Sequence, residues 1–329
     1  MNDYKIKLVS KVYKNVLSGK NPRIWALLRK GLIKFWHDPE CFLPIHGHML
    51  YLPLSHALPQ YLATLPLYDS LLRRLGTYLR QKDGYIYGID VGANIGDTIA
   101  AFFDNNYPQD MYLGIEPNPH FREYLFRNWG TQKQVKILPY FCTAGQQSTK
   151  KHRIVEYNGT AEIIQSDSGS LLDSRTLMQI IAEQPDFEKC NVIKIDTDGY
   201  DFDVIRGASE FIRQKHPAVF FECAPMSNSN FVQDCITTLD YFASAGYKSF
   251  FAYDNFGHLI GKFSLSELTI FINILTFQLT SRLFFIDILV MMDKHAIPFW
   301  ENEIDYHISV VSDSQMRSAL NWVLKQSRI

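Results

Sequence analysis

Short apolar runs alternate with longer segments that carry apolar residues at helical spacing along most of the chain. Seven of the runs have the length of β-strands. Strands that alternate with helices form parallel β-α-β units, and the sheet they build is covered on both faces. The pattern therefore predicts a doubly wound α/β fold with strands over 85–91, 111–115, 135–141, 192–195, 218–221, 248–253 and 283–291.

The last two apolar runs flank another helical segment, so we expect them to pair as an antiparallel edge of the sheet. Ser264 and Glu267 fit an S-x-x-E capping box, which predicts a helix over 264–281. A final helix is expected over 312–327.

The N-terminal part of the chain follows a different pattern. Residues 1–35 are typical of helices broken at Pro22, residues 41–54 of a hairpin that turns at Gly47, and residues 58–79 of one further helix. We therefore expect three parts: an N-terminal helical and hairpin extension on the substrate or membrane-surface side over 1–80, a catalytic domain over 81–293, and a C-terminal helical tail over 294–329.

The composition is that of a globular protein, with 47% hydrophobic and 20% charged residues among 329. The five cysteines are an odd number and contain no C-x-x-C pair, so neither a disulfide framework nor a zinc site is predicted, and a reducing compartment is expected. The apolar region 265–292 is interrupted by polar and charged residues and falls short of the ~20 residues that span a bilayer. We expect a soluble, cytoplasmic protein.

Charge is concentrated at the N-terminus, although the net charge is only -1. Residues 1–36 hold nine basic side chains and a single acid, Asp3. Such a segment could touch an anionic membrane surface on the inner face of the membrane or a phosphorylated substrate, or it could be a solvated helical face. Residues 6–16 are interrupted by lysines and no A-x-A site follows, so a secretory signal is not predicted.

A glycine-rich turn follows the strand that ends at Asp90. Gly92 and Gly96 lack side chains where a ligand would approach the backbone, and Asp90 and Asn94 would offer polar groups to it. The spacing is G-x-x-x-G rather than the dinucleotide fingerprint G-x-G-x-x-G, and acids at this turn would repel a pyrophosphate. A ligand with an ammonium and a sulfonium group matches the turn better.

Three further acids stand at the ends of predicted strands. Glu116, followed by Pro117 and Asn118, lies where a carboxylate can accept both hydroxyls of a ribose. Asp196 and Glu222 end the strands over 192–195 and 218–221. Because open α/β sheets bind ligands at the carboxyl ends of their strands, we expect all four acids to face one crevice.

These motifs resemble those of the FkbM family of S-adenosylmethionine-dependent methyltransferases. Asp198 stands where the family usually has Glu, and residues 52–69 are similar to members associated with polysaccharide and glycolipid synthesis. The resemblance covers roughly residues 80–293 and rests on IDVGANIGDT (89–98), GIEPNP (114–119), IKIDTDGYDFDVIRGA (193–208), FFEC (220–223), YDNFGHLIGKF (253–263) and FFIDILVM (284–291).

The resemblance implies a class I methyltransferase (Rossmann-like) fold with a seven-stranded sheet, S-adenosylmethionine as cofactor, and O-methylation of a sugar, glycan or polyketide-type natural product. It places Asp196 near the transferred methyl group. The residues that it implies for cofactor binding are Asp90, Gly92, Asn94, Gly96, Glu116, Pro117 and Asn118.

An aliphatic hydroxyl is a poor nucleophile until it loses its proton, so a positioned base is expected. Asp196 is the first candidate, followed by Asp198 and Glu222. Asp196 and Glu222 could also bind Mg²⁺, but two carboxylates fall short of a full ligand set, so Mg²⁺ is a possible cofactor that the sequence does not favour.

Other polar features are open to two interpretations. We interpret His46, His48 and His56 as surface or substrate-facing side chains rather than zinc ligands. His120 lies either near the adenine or at a helix start, and residues 158–171 form either a lid over the cofactor or a surface loop.

Two other function classes compete with the methyltransferase. An NAD(P)-dependent oxidoreductase shares the sheet and the ribose-binding acid, and a non-catalytic binding protein could keep a vestigial pocket. The near-neutral charge argues against nucleic acid as a partner. The expected partner is a small-molecule or glycan acceptor, lipid-linked acceptors included, and the sequence does not predict the oligomeric state.

Overall fold

The computed structural model of the chain describes residues 3–19, 21–145, 151–225, 228, 230–281 and 285–326. A 3₁₀-helix covers Pro185–Lys189. The α-helices of the described part are α1 Asp3–Leu17, α2 Pro22–Phe35, α3 Leu58–Thr64, α4 Ser70–Asp83, α5 Asp97–Phe102, α6 Pro119–Trp129, α7 Leu177–Ala182, α8 Asp201–Gly207, α9 Ser209–Lys215, α10 Phe231–Ser244, α11 Thr269–Ser281, α12 Asp293–Val310 and α13 Ser314–Gln326. The strands are β1 Glu40–Ile45, β2 His48–Pro53, β3 Tyr87–Val91, β4 Met111–Ile115, β5 Val135–Leu138, β6 Phe141–Cys142, β7 His152–Tyr157, β8 Thr160–Gln165, β9 Ser174–Arg175, β10 Val192–Ile195, β11 Ala218–Cys223, β12 Ser249–Asp254, β13 Leu259–Ser264 and β14 Ile286–Met291.

The central sheet has eight strands in the order β13-β12-β14-β11-β10-β3-β4-β5. The five strands from β11 to β5 are parallel, whereas β14 is antiparallel to both of its neighbours. This confirms the doubly wound, Rossmann-like class I fold that the sequence predicts. The prediction of seven strands is wrong by one, because β13 adds a strand beside β12. Its short sequence, LIGKFS, contains a glycine and a lysine and no buried residue, so it lacks the apolar pattern of a strand.

The strands β12 and β14 pair antiparallel, as expected, but they do not form the edge. Instead, β14 lies inside the sheet between β11 and β12. The helix expected from residue 264 begins at Thr269, because Ser264 ends β13. Glu267 accepts a hydrogen bond from the backbone N–H of Thr269 at 3.0 Å. The capping interaction therefore differs from the predicted box.

The N-terminal elements match the predicted helices and hairpin, with one correction. Pro22 opens α2, and β1 and β2 form a hairpin whose turn includes Gly47. The single helix expected over 58–79 is divided into α3 and α4, separated by a segment that contains Pro66, which cannot continue a helix interior. None of the described helices combines the length and the apolar character needed to cross a membrane.

The N-terminal elements and α12 pack on the same face of the sheet. Tyr13 of α1, Leu43 of β1 and Phe299 of α12 belong to one continuous cluster of buried side chains, together with residues such as Phe251 of β12. A second cluster covers the opposite face, where Ile193 is fully buried. One hydrophobic core continues across residues 80 and 293, so it does not separate the three predicted parts of the chain. The domain boundaries at these two residues stay a prediction.

A buried ion pair joins α12 to α4. Arg74 donates two hydrogen bonds to the carboxylate of Glu303, at 2.5 and 2.8 Å, and the Glu303 side chain is fully buried. The hydroxyl of Tyr253 in β12 donates to the same carboxylate at 2.9 Å. Burial raises the pKa of Glu303, but the hydrogen bonds and charges of Arg74 and His307 together outweigh burial and hold the pKa below its usual value.

We expect Arg74→Leu to lower the free energy of unfolding by about 3–5 kcal/mol, because it leaves a buried carboxylate without its cation. The midpoint of thermal unfolding, followed by circular dichroism, should fall by at least about 5 °C. The control is Lys136→Leu, since Lys136 pairs with Asp186 at an exposed position. Equal effects of the two changes would contradict the importance given to the buried pair.

Candidate active site

The acids predicted at strand ends come together at one edge of the sheet. β11, β10, β3 and β4 are parallel neighbours, so their carboxyl ends lie side by side. Asp90 lies near the end of β3 and Glu222 near the end of β11, while Glu116 follows β4 and Asp196 follows β10. Their placement at one edge matches the sequence prediction, but only Glu116 and Asp196 line the cavity in front of this edge, so the four do not all face it. The role of each residue stays a prediction.

The turn after β3 fits tightly against the end of β10. Gly92 has a φ of +83°, and a Cβ atom at this position would lie 1.8 Å from the carbonyl oxygen of Asp196. A side chain at residue 92 would therefore push β10 away from β3. Gly92 also lines the cavity, so the absent side chain serves both strand packing and access to the backbone.

The explanation predicted for Gly96 is wrong. A Cβ atom at Gly96 would lie 2.4 Å from the indole ring of Trp129, and the indole N–H donates to the Gly96 carbonyl at 3.0 Å. Gly96 does not line the cavity. Its missing side chain makes room for Trp129 of α6, which packs α5 against α6, rather than for a ligand.

Glu116 is buried and ties two turns together. One carboxylate oxygen accepts from the backbone N–H of Asn94 at 2.8 Å, and the other accepts from the N–H of Asn118 at 2.7 Å. Burial raises the pKa of Glu116 to about 7, although these two hydrogen bonds lower it. Each oxygen keeps a second acceptor position, so the carboxylate can still take the hydroxyls of a ribose.

Lys194 is a site residue that the sequence analysis did not select. It lies in β10 with 7% of its surface exposed, and its ammonium group is 3.2 Å from Asp196 and 3.5 Å from Asp90. Burial lowers the pKa of Lys194, but the carboxylates of Asp196, Asp90 and Asp97 raise it well above its usual value. A single charged residue inside the apolar run VIKI is the signal that could have identified it, because buried lysines are almost always paired.

Three carboxylates crowd together beyond Lys194. Asp196, Asp198 and Glu222 each place an oxygen within 4.8 Å of the other two. Asp287 faces Glu222 from β14. Burial first, and then the charges of Asp196 and Asp287, raise the pKa of Glu222 well above its usual value. Burial and Asp196 also raise the pKa of Asp198 to about 7.

Asp201 holds this acidic edge in shape. One of its oxygens accepts from the hydroxyl of Thr197 at 2.8 Å and the other from the backbone N–H of Glu222 at 3.2 Å. The turn after β10 is thereby joined to β11. Asp198 has a φ of +50°, in the left-handed region that Asp and Asn enter more readily than Glu, which fits its departure from the family pattern.

A cavity of about 230 Å³ opens in front of the sheet edge. It is lined by seven of the predicted site residues, whereas Asp90, Gly96 and Glu222 lie outside its lining. The seven are Gly92, Asn94, Glu116, Pro117, Asn118, Asp196 and Asp198.

The opposite wall comes from the N-terminal part of the chain. His56, Tyr61 and Tyr68 line the cavity, and the two tyrosine rings lie 5.3 Å apart. Burial raises the pKa of Tyr68, and the nearby carboxylate of Asp69 raises it further, so its phenol stays protonated and can donate a hydrogen bond. Burial lowers the pKa of His56 to about 4, so its ring is neutral. The two tyrosines were not identified from the sequence, because no local motif reveals that they fold over the sheet edge, whereas His56 faces the cavity, as the substrate-facing interpretation of it expects.

The histidines of the N-terminal hairpin have separate partners. His46 lies 3.6 Å from Asp69, and a ring nitrogen of His48 lies 3.1 Å from the carbonyl oxygen of Phe103. His56 instead contacts Asn94 at 3.4 Å. In the described part of the chain, the acidic trio of residues 196, 198 and 222 is the group of potential ligands close enough to share one ion.

The hairpin β7–β8 closes one side of the cavity. Its tip is fixed at two points: the carbonyl of Asn158 accepts from the backbone of Ala57 at 2.8 Å, and the carbonyl of Gly159 accepts from the Asn94 amide at 2.7 Å. A Cβ atom at Gly159 would lie 2.5 Å from the ring of His56. The first residues of the segment 158–171, which the sequence left open between a lid and a surface loop, therefore form a wall of the cavity. The Asn94 side chain, predicted to contact the ligand, holds this wall.

His120 lies at the start of α6, away from the buried part of the site. Its ring forms a pair with Glu156 of β7 at 2.8 Å, and the amide of Asn118 donates to the same carboxylate at 2.9 Å. The side chain of Asn118 also caps α6 by accepting from the backbone N–H of His120. These contacts attach the hairpin to α6, and they favour the helix-start interpretation of His120.

In comparisons with known proteins, this chain is similar to methyltransferases. Residues 90–249 match the methyltransferase FkbM domain. Methyltransferase 1 of Beauveria bassiana is 23% identical over 145 residues, which are 37% of this chain and 58% of that protein. The chain thus matches a little over half the length of this curated relative.

Two solved structures are similar over part of the fold. One is a methyltransferase FkbM from Methylobacillus flagellatus KT, with a TM-score of 0.35 and 17% identity over 50% of this chain and 39% of that one. The other is the O-methyltransferase from Bacillus cereus in complex with S-adenosylhomocysteine, with a TM-score of 0.37 and 11% identity over 71% of this chain and 88% of that one.

We expect the ligand-free protein to lose stability as the pH rises from about 5.5 to about 7.5. Asp97, Glu116 and Asp198 have pKa values raised to about 7, so the folded chain holds protons that the unfolded chain has already released. The free energy of unfolding falls with pH wherever the folded state binds more protons. The midpoint of thermal unfolding should fall by at least about 3 °C.

A pair of variants separates this effect from other titrations. Asp198→Asn should raise the unfolding midpoint near pH 7.5 and flatten its pH dependence, since it removes one crowded carboxylate. Asp186→Asn should do neither, because the Asp186 carboxylate is exposed and its hydrogen bond with Lys136 holds its pKa below the usual value. An unchanged pH dependence in Asp198→Asn would refute the assignment.

Proposed function

We propose that this chain, whose residues 90–249 match the methyltransferase FkbM domain, is an S-adenosylmethionine-dependent O-methyltransferase that acts on a hydroxyl of a sugar, a glycan or a related natural product. The observation that carries the proposal is the convergence of Asp196, Asp198 and Glu222 beside the cavity, within 4.8 Å of one another. Such a group can take a proton from an acceptor hydroxyl. The family match favours this function over an oxidoreductase.

The residues at the sheet edge suit the cofactor. Glu116 offers two carboxylate oxygens to a ribose, and Gly92 leaves the backbone open beside it. The surplus of carboxylates over the single ammonium of Lys194 favours a cationic ligand. When bound, S-adenosylmethionine supplies an activated methyl group on a positively charged sulfur.

Asp196 is the best placed general base. Half of its side-chain surface is exposed, whereas Lys194 beside it is buried and holds the carboxylate in one orientation. A hydroxyl that donates a hydrogen bond to Asp196 would lose its proton to this oxygen as it reacts. Burial raises the pKa of Glu222 well above its usual value, which favours its protonated form, and in that form Glu222 can donate a hydrogen bond to the same acceptor.

The wall formed by Tyr61, Tyr68 and His56 supports an acceptor with both apolar and polar surfaces. The two tyrosine rings offer flat apolar faces, and the Tyr68 phenol offers a donor. A sugar ring has apolar C–H faces and a rim of hydroxyls, which matches this combination. Lipid-linked sugars are included among the proposed acceptors.

We expect Asp196→Asn and Glu116→Gln to impair different steps. Asp196→Asn should lower turnover at least about 100-fold and leave the dissociation constant of S-adenosylhomocysteine within about threefold, because it removes the base and not a cofactor contact. Glu116→Gln should weaken S-adenosylhomocysteine binding about tenfold or more, since a neutral amide accepts the ribose hydroxyls less well. Calorimetry gives the binding constants.

Turnover is measured as transfer of labelled methyl groups into a glycan extract of the host. Mass spectrometry of the host's surface glycans, with and without the gene, identifies the acceptor by the loss of one methyl mass. Restoration by the wild-type gene and not by the Asp196→Asn gene is expected. Binding of S-adenosylhomocysteine without any methylated product would support the vestigial-pocket alternative instead.

We expect EDTA to leave turnover within about twofold, although three carboxylates lie close enough to share an ion. The reason is that the ammonium of Lys194 already lies 3.2 Å from Asp196 and would repel a second cation there. The control is the same assay after Mg²⁺ is restored in excess. A loss of activity that Mg²⁺ reverses would show that the trio is a metal site.

A further inference from the structure

The helix α2 leaves most of one side open to solvent. α2 packs along α1, but no α2 side chain is buried. Its exposed side includes Ile24, Leu27, Leu28 and Phe35, which are 58%, 69%, 47% and 74% exposed. These four residues form a continuous apolar strip, because positions 24, 28 and 35 share one side of a helix and 27 adjoins it. A Cβ atom at Gly31, within the strip, would touch nothing within 4 Å.

A basic strip runs beside the apolar strip. Arg23, Lys30 and Lys34 are exposed and recur at a spacing of seven and four residues, which places them along one line of the helix. No acidic residue occurs between Asp3 and Asp38. In the described part of the chain, none of the three basic groups lies within ion-pair distance of a carboxylate. Their charge is therefore available to an external anionic surface.

We propose that α2 docks on the surface of an anionic phospholipid membrane, with the apolar strip in the acyl boundary and the basic strip against the headgroups. An apolar face flanked by Lys and Arg is the pattern of helices that lie in the membrane interface. A second copy of the chain fits less well, because a two-fold contact through α2 would bring two basic strips together. A nucleic acid would match the charge and leave Ile24, Leu27 and Leu28 exposed to water.

The docking surface is directly connected to the active site. Arg29, on the inner side of α2, donates to the backbone carbonyls of Leu54 and Ser55 at 2.8 and 2.9 Å, and to the side chain of Gln60 at 2.8 Å. These residues flank His56, which lines the cavity. A membrane-bound α2 would thus hold the cavity wall close to the lipid surface, where a lipid-linked acceptor is found.

The test is co-sedimentation of the full chain with lipid vesicles, which needs neither cofactor nor turnover. One vesicle type contains phosphatidylcholine alone, and the other contains phosphatidylcholine and phosphatidylglycerol in about equal amounts. We expect binding to the second type, weakened by added salt because salt screens the basic strip. Absence of binding, or equal binding to both vesicle types, would overturn the proposal.

Two sets of variants locate the contact. Arg23→Gln, Lys30→Gln and Lys34→Gln together should lower the partition coefficient roughly 100-fold, at about fivefold for each charge. Leu27→Ser with Phe35→Ser should lower it at least about tenfold. The matched control is Ile270→Ser with Leu279→Ser on α11, which removes two apolar side chains, 62% and 48% exposed, from an uncharged helix.

The outcomes discriminate between surfaces and between claims. Retained binding in the α2 variants, or equal loss in the α11 control, would refute α2 as the docking surface. All variants should keep their thermal unfolding midpoint and their affinity for S-adenosylhomocysteine, because the changed residues are exposed and lie outside the cavity lining. Vesicle binding without cofactor binding would leave the docking inference intact and count against the methyltransferase function.

Discussion

The arrangement of the active site depends on one buried ammonium group among many carboxylates. Lys194 lies within β10, and its ammonium group forms ion pairs with both Asp196 and Asp90. Asp90 is buried, and burial raises its pKa while Lys194 opposes that shift. Without the ammonium group, two strand ends would carry like charges across a short gap. The parallel packing of β3 and β10 at this edge therefore requires the pair as much as it requires Gly92.

The same edge holds more negative charge than one lysine balances. Asp97, Glu116 and Asp198 have pKa values raised to about 7, chiefly by burial, and burial also raises the pKa values of Glu222 and Asp287 well above their usual values. A site with this property is strained electrostatically when its carboxylates are ionised. A ligand with positive charge relieves the strain, so the stability given up by the free protein becomes binding free energy for such a ligand.

The sequence predicted the sheet edge well because its geometry follows from local patterns. The strands over 111–115 and 192–195 have the predicted bounds, and an acid directly after a parallel strand has little choice of position. Partners that are distant in sequence were not predictable in this way. Trp129 fills the space beside Gly96, and His56 meets Gly159, through contacts that no local pattern encodes. The extra strand β13 was missed for the same reason, since only its pairing with β12 reveals it.

The two sides of the cavity thus have different origins. The sheet edge is built from short-range motifs, which other proteins with this domain can share. The facing wall is held by long-range contacts. The side-chain amide of Asn94 donates a hydrogen bond to the carbonyl of Gly159 at the tip of the β7–β8 hairpin, and its oxygen contacts the ring of His56. Arg29 fixes the segment that carries His56. The hydrogen bonds of the Glu116 carboxylate come from the backbone of Asn94 and Asn118, and Asp196 pairs with Lys194, so the side chains of this wall can vary without removing a partner of either acid. Differences in acceptor between proteins that share the sheet edge are therefore expected to arise in the N-terminal part of the chain and in the hairpin.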